Sequence, residues 1–307
     1  MKTAIHILYS LFLIFSCSKF TWDNNHQDGR EKRRVKYKEF DGVKKRLMLL
    51  TIFNESPHGG EDLGINATEE LRKELLRTGR FVINDFSIDL FGNSKKIYAG
   101  GGGDLFQLSR KAKKMGINMI VFGRIISARI RENIDEVGLV KKTNAYTESK
   151  IEIRIYDTNA GREVFKETIK GFASDNTYRF FSTDEMKKIK YRRDLLRYGL
   201  KIAVRRAITQ IIRVSTTLDW VGRVAKVVGN RIYISAGRKS GININDILQV
   251  VTKGEEIFDQ DTGALIGISQ GEIKGTVEVI DFFGVDGAIA ILHSGGSVVQ
   301  GDFVKLY

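Results

Sequence analysis

The sequence predicts an α+β protein, a mixed α/β sandwich followed by a small β-barrel. Three observations carry this. Between Arg46 and Gly171 the apolar pattern runs strand, helix, strand, helix, strand, hairpin. From Asp219 onward it changes to short strands punctuated by glycine. A long amphipathic helix joins the two. At 307 residues, 42% hydrophobic and 28% charged, the chain is long and apolar enough for two cores.

The first element is not part of either core. Met1 and Lys2 give a positive start, and Ile5 to Phe15 is almost wholly apolar. That run is too short for a stable membrane span and has the length of a signal-peptide core. It breaks into polar sequence at Ser16-Cys17-Ser18, where the chain spends its only cysteine. The stretch Ile14-Phe15-Ser16-Cys17 resembles the bacterial lipobox, which implies that the Cys17 thiol is diacylated and becomes the mature N-terminus. Phe15 departs from the usual small residue. An ordinary signal peptide with an incidental cysteine is the competing reading. Residues 1–16 are therefore expected to be a lipoprotein signal peptide and 17–45 a basic tether, whose aromatics Phe20, Trp22, Tyr37 and Phe40 either dock against the body or the headgroup layer or, in the plainer reading, sit in a solvated linker.

Residues 46–175 are expected to form the α/β domain. "RLMLLTIFN" reads as a buried strand ended by a turn at Ser56 to Gly60. A helix start is expected at Asn66 with Glu69 three residues on, Leu71 and Leu75 on one face, and Gly79 as the stop. "FVIND" is a strand. Asp104 is expected to cap a second helix carrying Leu105, Leu108, Ala112 and Met115, closed by Gly116. "NMIVFGRIISARI" is a further strand, and Lys150 to Gly171 an alternating hairpin turning at Asp157 to Gly161.

Residues 176–217 are expected to connect the domains. A polar stretch spanning 172–190 leads into a helix from about Asp194 to Val214, with Leu196, Leu200, Ala203, Ala207 and Ile211 as its apolar stripe. Arg193, Arg197, Lys201 and Arg205 recur every four residues on another face. The plain reading is a packing helix with a solvated basic edge; the sharper one is a docking face for an acidic partner or lipid. Residues 218–307 hold five or six short strands, as a barrel that closes its own edges requires. Asp246-Ile-Leu-Gln-Val is echoed by Asp302-Phe-Val-Lys-Leu, an acidic turn entering a strand each time.

The net charge of +13 invites a nucleic-acid reading. It is unevenly spread, because from Asp219 the chain has 8 Lys and Arg against 11 Asp and Glu. The excess lies in Arg30 to Arg46 and Lys187 to Arg213. An exported protein does not meet nucleic acid, so anionic lipid or acidic proteins are the expected counterparts.

The C-terminal phrases "GRVAKVVGNRIYISAG", "GININDILQV", "DTGALIG", "IKGTVEVI" and "GDFVKL" resemble the C-terminal domain of the flagellar assembly protein T family, which implies an SH3-like β-barrel. Asn245-Asp246 stands where such modules usually have Gly-Asp. Arg46 to Gly171, through "GRFVIND" and "KKMGINMIVFGRI", is similar to the N-terminal-type domain of TolB and of the curli secretion channel family. The resemblance implies a structural or assembly component of the flagellar motor's periplasmic apparatus, and the lipobox at Cys17 implies that it is lipid-anchored on the periplasmic face of the outer membrane. Expected partners are outer-membrane lipid through Cys17, envelope proteins including flagellar ring components, and further copies of the chain, with no nucleic acid. The family's members usually carry another N-terminal domain and no lipid.

A curli-type secretion channel, or a lipoprotein of another envelope assembly, is the alternative. The channel would need lipid-facing hairpins from "FSIDLFGNSKKIYAGGGG" and "RENIDEVGLVKKTNAYTESK", and charges fall on both alternation phases of the second. An envelope hydrolase or a regulator of a cell-wall enzyme is a third reading. No enzyme activity, cofactor or metal is expected. Ala99 to Asp104 lacks the Gly-Lys-Ser/Thr of a phosphate loop. His6, His26, His58 and His293 are scattered, and the Asp259 to Gly263 turn offers too few oxygens for calcium.

Overall fold

A computed structural model of the chain describes residues 37–83, 97, 102–137, 140–179 and 189–307. Cys17, the signal segment and most of the expected tether lie outside the described residues, as do most of "FSIDLFGNSKKIYAGGGG" and the start of Ala99 to Asp104. Residues 39–307 form one unit, α+β in class, with a mixed sheet and a closed barrel.

The first part is a sheet of six strands: β1 (Lys45–Leu49), β2 (Phe53–Asn54), β3 (Phe81–Ile83), β4 (Met119–Val137), β5 (Val140–Asp157) and β6 (Arg162–Arg179). Its order is β3-β1-β4-β5-β6, with β2 also on β4. The β1, β2 and β3 pairings are parallel, and β4-β5-β6 is an antiparallel meander. Helix α1 (Gly60–Arg77) and helix α3 (Ile189–Thr217) share one face; α2 (Gly102–Lys114) covers the other. Strand alternation makes this possible. Met48, Leu50, Ile120, Phe122 and Tyr156 meet Leu105, Leu108 and Ala112 of α2. Residues of opposite parity on β5, among them Thr147, Ile151 and Ile153, are buried on the α3 side. A bulge at Ile126 shifts the β4 register, so Ile125 and Ala128 are both buried.

Several element limits differ from the sequence expectation. The run Arg46 to Asn54 splits into β1 and β2, because the Ile52 amide donates to the Thr68 hydroxyl at 2.9 Å instead of to a strand. Helix α1 begins at Gly60, not at Asn66, whose side chain donates to the Asp62 carbonyl inside the helix. Glu61 and Asp62 supply the acidic first turn. Helix α2 begins at Gly102, two residues before the expected Asp104 cap. The Gly79 and Gly116 stops stand, with φ of 68° and 73°. The charged stretch Arg131 to Lys150, to which the sequence expectation gives no element outside the channel alternative, is strand: β4 and β5 pair through it as far as Val137 and Val140. Likewise 172–179, read as polar connection, extends β6 along β5. Continuous ladder pairing outweighs the polar composition there. Phe40 packs under the Arg80 guanidinium at 4.4 Å, and the Lys44 amide donates to Ser240, so the expected tether ends within the folded unit.

Helix α3 lies unusually close to the sheet. A Cβ added at Gly171 of β6 would meet the Gly199 carbonyl and, at 2.6 Å, the Ala203 amide. One added at Gly199 would strike Thr147 of β5. Small residues on both sides let backbone approach backbone, and Leu195, Leu196, Leu200, Val204, Ala207, Ile208 and Ile211 bury a face wider than the predicted stripe.

The second part is a closed barrel, β12-β13-β8-β7-β14-β9, built from β7 (Val221–Val228), β8 (Arg231–Ile234), β9 (Ile247–Val251), β12 (Ile273–Phe283), β13 (Gly287–Gly295) and β14 (Phe303–Leu306). Trp220, Val224, Ile234, Leu248, Val250, Val279 and Val304 are in its core. The hairpin of β10 (Glu256–Phe258) and β11 (Leu265–Ile268) stands apart as a separate two-stranded sheet. The echoed acidic turns have one geometry. Asp246 accepts from the Asn243 amide at 2.7 Å and Asp302 from the Val299 amide at 2.9 Å, each three residues upstream. The residue before each aspartate has positive φ, 72° at Asn245 and 96° at Gly301. Asn245 thus occupies a left-handed site that glycine would suit, and asparagine is the non-glycine residue that tolerates it best.

A polar seam locks the barrel to the sheet. Asp286 accepts from the Gly237 and Ser240 amides (2.9 and 3.0 Å), the Ser240 hydroxyl (2.6 Å) and Arg46 of β1 (2.7 Å). Asn118, 1% exposed, accepts from the Arg46 amide and donates to the Val221 carbonyl at 2.8 Å. Burial pushes the Asp286 carboxyl up, but the hydrogen bonds from Ser240 and Arg46 outweigh it and hold the pKa below its ordinary value.

Three outcomes follow from these contacts. Gly171→Val is expected to cost about 3 kcal/mol, measured by urea or thermal unfolding, because the helix must lift from the sheet. A depressed carboxyl pKa adds stability that is complete above the unfolded value of 3.8 and lost as pH falls through the folded one. Melting temperature should therefore drop in that acidic window. Asp286→Asn should flatten that drop and cost about 3 kcal/mol at neutral pH by stranding the Arg46 guanidinium.

Candidate functional site

The predicted basic face lies on α3, where it packs beside α1, and it is not uniform. Lys201 is 3.3 Å from Glu70 of α1; Arg205 is 3.9 Å from Glu70 and 3.6 Å from Glu74. Glu74 is buried, its side chain 2% exposed, and also accepts from Arg77 at 2.8 Å. Lys201 and Arg205 thus neutralise carboxylates that α1 presents, and they fasten one helix to the other. Arg197 pairs within its own helix with Asp194 at 3.8 Å. Arg193 is exposed, with no ion pair or hydrogen bond among the described residues.

The face is therefore split along the helix. Its C-terminal half, Lys201 and Arg205, is engaged in packing; its N-terminal half, Arg193 and the half-exposed Arg197, remains turned to solvent. Arg192 joins that open half. Sequence periodicity missed it because it is adjacent to Arg193 rather than four residues away. Arg192 and Arg193 border a recess of about 340 Å³ with His58, Asp62, Ile130 and Leu196, where α3 meets the start of α1. A second groove of about 250 Å³ runs between α1 and α3, lined by Asn66, Glu70, Asp194, Arg197 and Lys201. Chemically, the open half can receive an acidic segment or an anionic headgroup. The closed half has little charge left to offer.

The other predicted site residue, Cys17, lies outside the described residues. Among the described residues, no helix is long and apolar enough to cross a membrane, and no group of three or more His, Cys, Asp or Glu is placed to hold a metal ion. Sequence reasoning also missed a set of ionisable groups at the junction of sheet and barrel, including Lys113 and Asp157. They are 44 positions apart in the chain, and no local spacing links them.

The split predicts a split in stability. Arg205→Gln should lower stability by about 1 kcal/mol, because it loosens the clamp on a buried carboxylate. Arg193→Gln should leave the melting curve unchanged. Thermal unfolding of the two variants side by side checks this.

No protein-family model matches the chain, and no curated protein matches it. Among solved structures it is similar to a hypothetical protein from Chlamydia trachomatis, at 13% identity and a TM-score of 0.35, over 56% of this chain and 95% of that one. It is also similar to a neuraminyllactose-binding hemagglutinin homologue from Helicobacter pylori, at 10% identity and a TM-score of 0.37, over 60% and 95%. A third likeness is to a minor lipoprotein from Acinetobacter baumannii, at 15% identity and a TM-score of 0.29, over 58% and 98%. At these identities and scores the likenesses assign neither a family nor a role to this chain.

Proposed function

We propose that the mature chain is a lipoprotein anchored at the periplasmic face of the outer membrane, acting as a structural or assembly component rather than an enzyme. Its proposed setting is the periplasmic apparatus of the flagellar motor. The observation that carries the reading is Cys17, the sole thiol, placed where an apolar run of signal-core length gives way to polar sequence. Each buried methylene of an acyl chain contributes about 0.8 kcal/mol, so several chains on one cysteine make a firm anchor. The fold supports a binding role through the open half of the basic face, where Arg192 and Arg193 border a recess. The flagellar setting is supported by the likeness of the barrel's glycine and hydrophobic phrases to flagellar assembly protein T.

The channel reading draws on one observation. Strands β4 and β5 run 19 and 18 residues, well beyond the roughly 9–11 needed to cross a bilayer. Composition opposes it, since Arg131, Glu132, Asp135 and Glu136 on β4 and Lys141 and Lys142 on β5 put charge on both alternation phases.

Cys17→Ala should move the protein from the membrane fraction to the soluble fraction. Mass spectrometry of the wild-type N-terminus should find fatty acid on Cys17, and an unmodified cysteine there would overturn the anchor. Deletion of the gene should impair swimming and alter motors seen by tomography. Full motility with intact motors would transfer the role to a different envelope assembly.

A further inference from the structure

The junction between the sheet and the barrel encloses a cleft of about 200 Å³ that no part of the anchoring reading uses. One wall is the end of α2 and the turn between β5 and β6; the other is the barrel, with β14 and the loop spanning 269–271. Val221, Val251 and Phe303 form a small buried apolar cluster of their own and make the floor. Gly254 and Gly271 lie so close to the Ser269 and Thr252 carbonyls that neither could carry a Cβ, so the barrel rim there is bare backbone.

Two opposite charges share this cleft without meeting. The Lys113 ammonium is 5.3 Å from the centre of the Phe303 ring and donates to the Asn159 carbonyl at 3.1 Å. An ammonium has three donors, so two have no acceptor among the described residues. The Asp157 carboxylate accepts from the Asn159 and Ala160 amides at 2.8 and 3.3 Å through one oxygen. Neither group makes an ion pair within 4.0 Å among the described residues, although each feels the other's charge. Burial pushes the Lys113 pKa down and the Asp157 pKa up by more than the nearby opposite charges, each other's among them, make good. The Asn159 side-chain nitrogen, at the same turn, is buried with no acceptor among the described residues. At the rim, Lys305 and Asp219 are 3.7 Å apart and largely cancel.

An orphaned amide donor, an ammonium with one of its three donors engaged, a carboxylate whose second oxygen accepts no hydrogen bond among the described residues and an apolar floor make one recognition pattern. We propose that the cleft binds a small zwitterion of the α-amino-acid class. Lys113 and Asn159 receive its carboxylate, Asp157 receives its ammonium, and Phe303 and Val251 floor the space for an apolar side chain. A bound zwitterion brings a contacting counter-charge to both groups at once, whereas a simple anion would face Asp157 and a simple cation Lys113. A free amino acid and a short peptide both present this chemistry.

Calorimetric titration of the full chain with leucine, N-acetyl-leucine, leucinamide and leucyl-leucine tests the proposal. Leucine or leucyl-leucine should bind saturably, and whichever binds tighter identifies the source as free amino acid or peptide. Blocking either terminus of leucine should weaken binding roughly tenfold or more, as should Lys113→Gln and Asp157→Asn in variants that melt like the wild type. In the unmutated protein, the Asn159 side-chain amide resonances should shift on titration, which keeps the test sound if a variant fails to fold. Absence of saturable binding by both zwitterions, equal binding of the blocked forms, or an unmoved Asn159 amide would each overturn it.

Discussion

The structure depends on how one carboxylate is satisfied. Asp286, on the turn before β13, takes hydrogen bonds from two barrel amides, a barrel hydroxyl and the guanidinium of Arg46 on β1. A buried ion pair contributes little net stability once desolvation is counted, but it is directional and costly to break. It therefore fixes orientation more than it adds strength. Asn118 completes the lock, holding the Arg46 backbone on one side and the Val221 carbonyl, at the start of the barrel, on the other. With sheet and barrel held in that register, α2 and the β5–β6 turn face β14, and the zwitterion cleft exists at all.

Helix α3 is the second support, and its composition serves two purposes. Glycine and alanine at 199 and 203 let its backbone approach β5 and β6, while its larger apolar residues fill the remainder of the contact. Its cations divide by position. Those near the middle meet Glu70 and Glu74 and tie α1 to α3; Arg192 and Arg193 at the start border a recess with Asp62 but make no ion pair among the described residues. A row of basic residues at regular spacing is thus partly a packing device and partly a surface.

The element order, the stop glycines, the β5–β6 turn and the number of barrel strands were legible because each follows from local periodicity or turn chemistry. Helix starts were less so. Asn66 and Asp104 are good capping types, yet both lie inside their helices, where glycine-led acidic or polar turns begin earlier. Polar strands were the clearest miss. Glu132 to Lys150 has no clean alternation, and only the neighbouring strand makes it a strand. The doubled acidic turn was visible as a repeated phrase. Why asparagine stands at 245 became clear only from its positive φ.

The sequence by itself determined where apolar surface accumulates, hence two cores and the connecting helix, and it placed the one cysteine at a compositional border. Both are local properties, written in neighbouring residues. Tertiary structure alone decided which charges are spent and which are available. Arg46 meets Asp286 across 240 positions, Lys201 meets Glu70 across two helices, and Lys113 and Asp157 come to one cleft without pairing. Electrostatic energy depends on distance in space and on burial, and neither quantity is encoded in the spacing of residues along the chain.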